Sequence, residues 1–159
     1  MSGTRWLDQH EQEHWRAYLR GSRLLERALA EDLAPMNVQL TEYELLSMLS
    51  ESPGQRTRMS RLADDIIQSR SRVTHTAARL EKRGWVERCR SLDDGRGVEI
   101  SLTDAGRAAI ADLAAVHVES VRRHLVDALT PEQFAALGDA MAALRDQMAP
   151  QHHEIGLDD

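Results

Sequence analysis

A mainly α-helical fold carrying one small β-hairpin is what this 159-residue sequence predicts, on three observations. Helical apolar spacing runs through most of the chain, and Pro35, Pro53, Pro131 and Pro150 all fall between the periodic segments, where a missing N–H and a fixed ring break no helix. Period-two alternation occurs at Val98, Ile100 and Leu102, directly behind the turn-forming run DDGRG. Positive charge is gathered in one stretch of a chain whose formal net charge is -6.

Composition bounds the rest. The length suits one compact core, and 42% hydrophobic with 29% charged residues is the balance of a globular protein. No stretch approaches the roughly 18 apolar residues of a membrane span, and MSGTRWLDQHEQEHW lacks the apolar centre of a secretory signal, so a cytoplasmic protein without membrane contact is expected. A single cysteine, Cys89, precludes an internal disulfide framework. Without a phosphate-cradling glycine loop, a nucleophile elbow or a supportive His and Cys pairing, neither an enzyme nor a cofactor is expected.

The elements follow in order. From Asp8 to Ala34, Trp15, Tyr18, Leu19, Ser22, Leu25, Leu29 and Leu33 recur at helical spacing, giving a first helix about 40 Å long at 1.5 Å per residue. Thr41 and Glu44 form a candidate capping box for a second helix reaching Ser52, and SPGQ turns the chain. Ser60 is the expected cap of a short third helix through Ile66, and Ser69 that of a fourth to Arg83, stopped by Gly84. A two-stranded hairpin comes next. Thr103 is expected to cap a long fifth helix to about Leu129, and Thr130 with Gln133 boxes a sixth that begins at Pro131. On that last helix Phe134, Leu137, Met141, Leu144 and Met148 make a narrow stripe suited to packing against another helix.

The charge lies on the fourth helix and around it. From Gln55 to Arg96 the net charge is +5, which leaves -11 on the remainder. On a helical wheel Val73, Ala77 and Leu80 share one face, while Ser71, His75, Ala78, Arg79 and Lys82 lie opposite, flanked by Arg72 and Thr74. Such a helix docks by its apolar side and offers the other to a groove, where Arg pairs with guanine and Ser or Thr reaches base edges or phosphates from the leading turns. A short helix, a turn, this helix and then a hairpin tipped by Arg96 make a winged helix-turn-helix. Arg96 would enter the adjacent minor groove, with Asp94 orienting its guanidinium.

MSRLADDI, SRSRVTHTAARLEKRGWVER, and DDGR with ISLTDAG behind it resemble the MarR family of winged helix-turn-helix transcription regulators along nearly the whole chain. The resemblance implies a homodimer that binds palindromic double-stranded DNA, as a repressor released by a small phenolic effector. It divides the chain into a helical dimerisation region at 1–34 and 103–150, a winged helix-turn-helix domain at 36–102 and a flexible tail at 151–159. Ser69, Arg70, Ser71, Arg72, Thr74, His75, Arg79, Asp94 and Arg96 are the expected DNA contacts, and Trp15, Tyr18 and Tyr43 the aromatics for an effector cleft. Ile67 stands where the family often has a turn glycine, and Leu92 where its wing often has proline.

Other constellations point elsewhere. His10 and His14 lie one helical turn apart, which is a metal-compatible spacing, yet no ligand motif accompanies them, so no metal site is expected and a metal-responsive regulator is an alternative reading. His117, on the apolar stripe of the fifth helix, reads as a satisfied core residue. The rival from another class is a winged module that binds protein and leaves DNA alone.

Overall fold

The structure, a computed structural model, describes residues 3–91 and 97–148. Asp94, Arg96, Leu92 and the tail at 151–159 lie outside the described residues.

Helix α1 spans Gln9–Leu33, within a residue of expectation at each end. Asp8 caps it: its carboxylate accepts from Glu11 N at 2.9 Å, while Glu11 Oε2 accepts from Asp8 N at 2.9 Å. Ser22, the polar member of the apolar series, turns its hydroxyl back onto Tyr18 O at 2.8 Å.

Helix α2, Leu40–Glu51, starts from a different box than Thr41 and Glu44. Gln39 is the capping residue, with extended backbone, and Glu42 is the side chain that reaches back, accepting from Gln39 N at 2.9 Å. Core register decides this, because a start at Leu40 turns Tyr43, Leu45, Leu46 and Leu49 inward behind Val38. Glu44 is thereby left within the helix, where Gln68 Nε2 donates to it at 3.1 Å.

A three-residue strand that the sequence pattern does not announce, β1 at Arg56–Arg58, leads straight into α3, Met59–Asp65. It carries two arginines and no apolar alternation. Ser60 is therefore not a cap: the helix begins from the extended Arg58, without a side-chain cap. Strands β2, Val86–Arg90, and β3, Val98–Leu102, form the expected antiparallel pair, and β1 adds to its far side in the order β1–β3–β2. Arg56 lies opposite Ser101 and Arg58 opposite Glu99.

Between α3 and α4, Ile67 takes the left-handed conformation, φ 52°, in place of the common glycine. For a β-branched residue this costs about 1–2 kcal/mol. The turn geometry survives the substitution all the same: Ile67 N donates to Asp64 O and Gln68 N to Ala63 O. Helix α4, Arg70–Lys82, is capped as expected by Ser69 Oγ, which accepts from Arg72 N, and Gly84 ends the segment at φ 73°.

Helix α5, Asp104–Val121, opens at Thr103, whose Oγ accepts from Gly106 N at 3.0 Å and donates to Gly84 O at 2.6 Å. Gly106 packs so closely that a Cβ there would lie 1.9 Å from Trp85 O. The helix does not continue regularly to Leu129. From Arg122 to Val126 it widens into a π turn, the kind of insertion that re-aims side chains. Ser120, Arg123 and His124 all meet Asp32 of α1, at 2.5, 2.6 and 2.9 Å. The Ser120 hydroxyl and the Arg123 guanidinium, with His124, hold the Asp32 carboxyl down at about 2. Helix α6, Pro131–Met148, has the expected box, with Thr130 N donating to Gln133 Oε1 and Gln133 N to Thr130 Oγ1.

One apolar core gathers Leu33 of α1, Leu45, Leu46 and Leu49 of α2, Leu62 of α3, Val73 and Leu80 of α4, Ile100 of β3 and Leu113 of α5. His117 flanks it but is not satisfied there. Its ring packs on Tyr43 at 4.1 Å between centroids, and the buried Nδ1 has no hydrogen-bond partner among the described residues. Burial lowers its pKa.

Candidate nucleic-acid interface

The sequence of α4 sorts its side chains by depth. Val73, Thr76, Ala77 and Leu80 are buried against the core, while Arg70, Ser71, Arg72, Thr74, His75, Ala78, Arg79 and Lys82 stand outside. Transfer of the three apolar side chains out of water fixes which face is left over. Two grooves flank that leftover face. One, of about 510 Å³, runs between the start of α2 and the leading turns of α4, lined by Gln39, Thr41, Ser69, Ser71, Arg72, His75, Thr76 and Arg79. The other, of about 310 Å³, lies between α4 and the sheet, lined by Arg58, Met59, Ser60, Arg70, Thr74, Gly97 and Val98.

The expected DNA residues within the described chain thus converge on one surface. Ser69 is partly committed as the cap, and Thr74 donates to Arg70 O at 2.8 Å. Arg70 and Arg72 form no close ion pair among the described residues, although the Arg72 charge acts on the Glu44 carboxyl of α2, working against the burial that raises its pKa. Arg79 differs. Its Nε donates to Glu42 at 3.0 Å and its Nη2 to Gln39 at 2.8 Å. Arg83 is likewise engaged, donating to Asn37 O at 2.6 Å and lying 3.7 Å over the Trp85 ring. Gln39 and Thr41 are the residues sequence reasoning missed on this surface, because reading Thr41 as a cap hid that the α2 start faces α4.

The aromatic candidates differ in exposure and in partners. Trp15 and Tyr18 stack on each other at 5.8 Å and are exposed on α1, whereas Tyr43 is buried and pairs with His117. Burial raises the Tyr43 pKa.

The comparisons with known proteins agree with this geometry. The MarR family profile matches residues 38–98, from the lead-in to α2 through the start of β3. AbsC, a MarR family transcriptional regulator from Streptomyces coelicolor, superposes with a TM-score of 0.87 at 40% identity, over 93% of this chain and all of that one. The chain belongs to the MarR family. Sco3205, a MarR family transcriptional regulator from the same organism whose structure is in complex with DNA, superposes at 0.88 with 38% identity, over 98% of both chains. Among curated regulators, PecS of Dickeya dadantii is 31% identical over 113 residues, 70% of this chain and 66% of PecS. The HTH-type transcriptional repressor Rv2887 of Mycobacterium tuberculosis is 33% identical over 102 residues, 64% of this chain and 71% of that one. As a member of the family the chain is a winged-helix, DNA-binding transcriptional regulator. No helix among the described residues is long and apolar enough to cross a membrane.

Proposed function

We propose that this MarR family chain acts as a homodimeric repressor: two copies pair through α1, α5 and α6, at 1–34 and 103–150, and lay their α4 helices into successive major grooves of a palindromic operator. The observation that carries the reading is the bare leading half of α4, where Ser71, Arg72 and His75 are all exposed beside the groove that they line with Gln39 and Thr41. Arg72 reads a base, and Ser69, Arg70, Ser71, Thr74 and His75 hold phosphates or base edges beside it. Arg96, with Asp94 beside it in sequence, supplies the wing's minor-groove contact. The acidic remainder of the chain faces away from the phosphates, so binding uses the sign of one face rather than of the whole.

Pairing of two chains is supported by α6, whose stripe of Phe134, Leu137, Met141, Leu144 and Met148 is exposed in the single chain. For an effector, a small phenolic acid suits the aromatic sites: Trp15 and Tyr18 offer ring faces, and His117 beside Tyr43 has a ring nitrogen with no partner among the described residues. The deciding experiment is selection of bound sites from random DNA at physiological salt, repeated with phenolic acids. A palindrome is expected. Arg72→Ala should weaken the selected site by about 1–3 kcal/mol and relax its preference at one position per half-site; unchanged affinity and preference would remove Arg72 from the interface. Selection of no sequence at all would favour a protein-binding winged module.

A further inference from the structure

We infer that Arg79 is a positioning residue and not a DNA contact: it pins the reading helix α4 to the start of α2 through Glu42 and Gln39, and so sets the angle at which Arg72 and His75 are presented. The inference rests on the DNA-binding reading above and changes the role of one residue within it.

The attachment is two-pronged. Nε donates to Glu42 Oε1 and Nη2 to Gln39 Oε1, so the planar guanidinium is held at two points and cannot swivel about either. Its carboxylate partner is no ordinary surface acid. Glu42 is only 5% exposed, and its second oxygen accepts from Gln39 N, so one side chain both caps α2 and holds α4. A buried carboxylate needs its cation: were Arg79 to swing out to a phosphate, Glu42 would be left charged and uncompensated. That penalty keeps the Arg79 guanidinium on Glu42 although the side chain is half-exposed, whereas Arg70 and Arg72 make no close ion pair with a buried carboxylate among the described residues.

Leverage makes the anchor matter. Apolar contacts of Val73, Ala77 and Leu80 hold α4 against the core but are not directional, so they resist separation more than tilt. Arg79 and Arg72 are seven residues apart, about 10 Å along the helix. A tilt of about 10° at Arg79 therefore moves Arg72 by about 2 Å, more than a bidentate contact to guanine tolerates. Both residues line the same groove, with Gln39 and Thr41 on its opposite wall.

The test uses the full chain and its Arg79→Gln, Glu42→Gln and doubly substituted forms, since Gln at position 42 keeps the capping geometry. Affinity is measured against salt for the selected site and for a scrambled duplex, and site selection is repeated. A positioning role predicts that each single change weakens the selected site at least tenfold. It also predicts scrambled-duplex affinity within about twofold of the parent, an unaltered salt slope, and a double variant no worse than the weaker single, as expected of groups acting as one unit. A direct phosphate contact predicts instead that Arg79→Gln lowers the salt slope by about one and weakens both duplexes alike, while Glu42→Gln retains affinity and preference; either result overturns the inference. Should Arg79→Gln not fold because it strands the Glu42 charge, the double variant decides. With the parental slope and relaxed preference it supports the anchor, and with a reduced slope or full preference it refutes it. If the parent itself selects no sequence, the DNA reading fails, which is distinct from a selective parent that Glu42→Gln leaves untouched.

Discussion

The winged module and helix α6 differ in how much of their apolar surface the single chain uses. Within α2 to β3, Leu45, Leu46, Leu49, Leu62, Leu80 and Ile100 have no exposure at all, and with Leu33 of α1 and Leu113 of α5 they form a core that the single chain closes. Helix α6 buries no residue, and the five apolar side chains of its stripe are each at least 38% exposed. Local signals are equally good in both, with a capping box at each start. The core of the winged module is therefore finished within one chain, whereas the stripe of α6 is left uncovered there, which suits the proposed pairing.

The largest effect should come from breaking the closed region. Leu80→Ala truncates the largest fully buried side chain of α4 and should cost about 2–5 kcal/mol, read as a lowered urea midpoint with unchanged m. An effect below about 1 kcal/mol would mean the α4 face is not packed as described. Next comes the open region. Leu137→Glu combined with Met141→Glu should change the stability of the isolated chain by no more than about 0.5 kcal/mol each, because both sites are solvated there. Yet it should convert a dimer to a monomer in sedimentation and abolish binding to the palindrome. Retention of the dimer would assign the stripe another purpose.

The smallest effect sharpens the comparison at its border, where α1 meets α5. Asp32 has a folded pKa of about 2, below the usual carboxyl value of about 3.9. Its contribution is thus complete above about pH 4 and is lost as pH falls toward 2. Asp32→Asn should make the stability of the chain shallower with pH over that window and alter nothing at pH 7 beyond a constant offset. An acid limb identical to the parent's would show that Ser120, Arg123 and His124 do not act on this carboxylate in solution.

Much of this was legible in the sequence where signals are local. Ser69, Thr103 and Thr130 cap the helices they precede, Gly84 ends α4 with a positive φ, and the wheel separated buried Val73, Ala77 and Leu80 from exposed Ser71 and His75. Family motifs carried the reading from fold to DNA. What escaped depends on partners distant in sequence. Glu42 rather than Glu44 boxes α2 because the core register of Leu45 and Leu49 overrides the Thr41 signal, and Arg79 turns inward because that same Glu42 lies 37 residues earlier. Strand β1 exists only because β3 pairs with it, and the widened turn at Arg122–Val126 has its reason in Asp32, on another helix.

Thr103 carries one hydroxyl, and the structure spends it twice: it donates to Gly84 O, just past α4, and accepts from Gly106 N, in the first turn of α5. With no clearance between Gly106 and Trp85 O, the joint has no slack. The tail of the reading helix and the head of the outer helix therefore move as a single mechanical part. A tilt imposed on α5 from outside reaches the groove-facing residues through a rivet of two hydrogen bonds, with no need to travel by way of the wing.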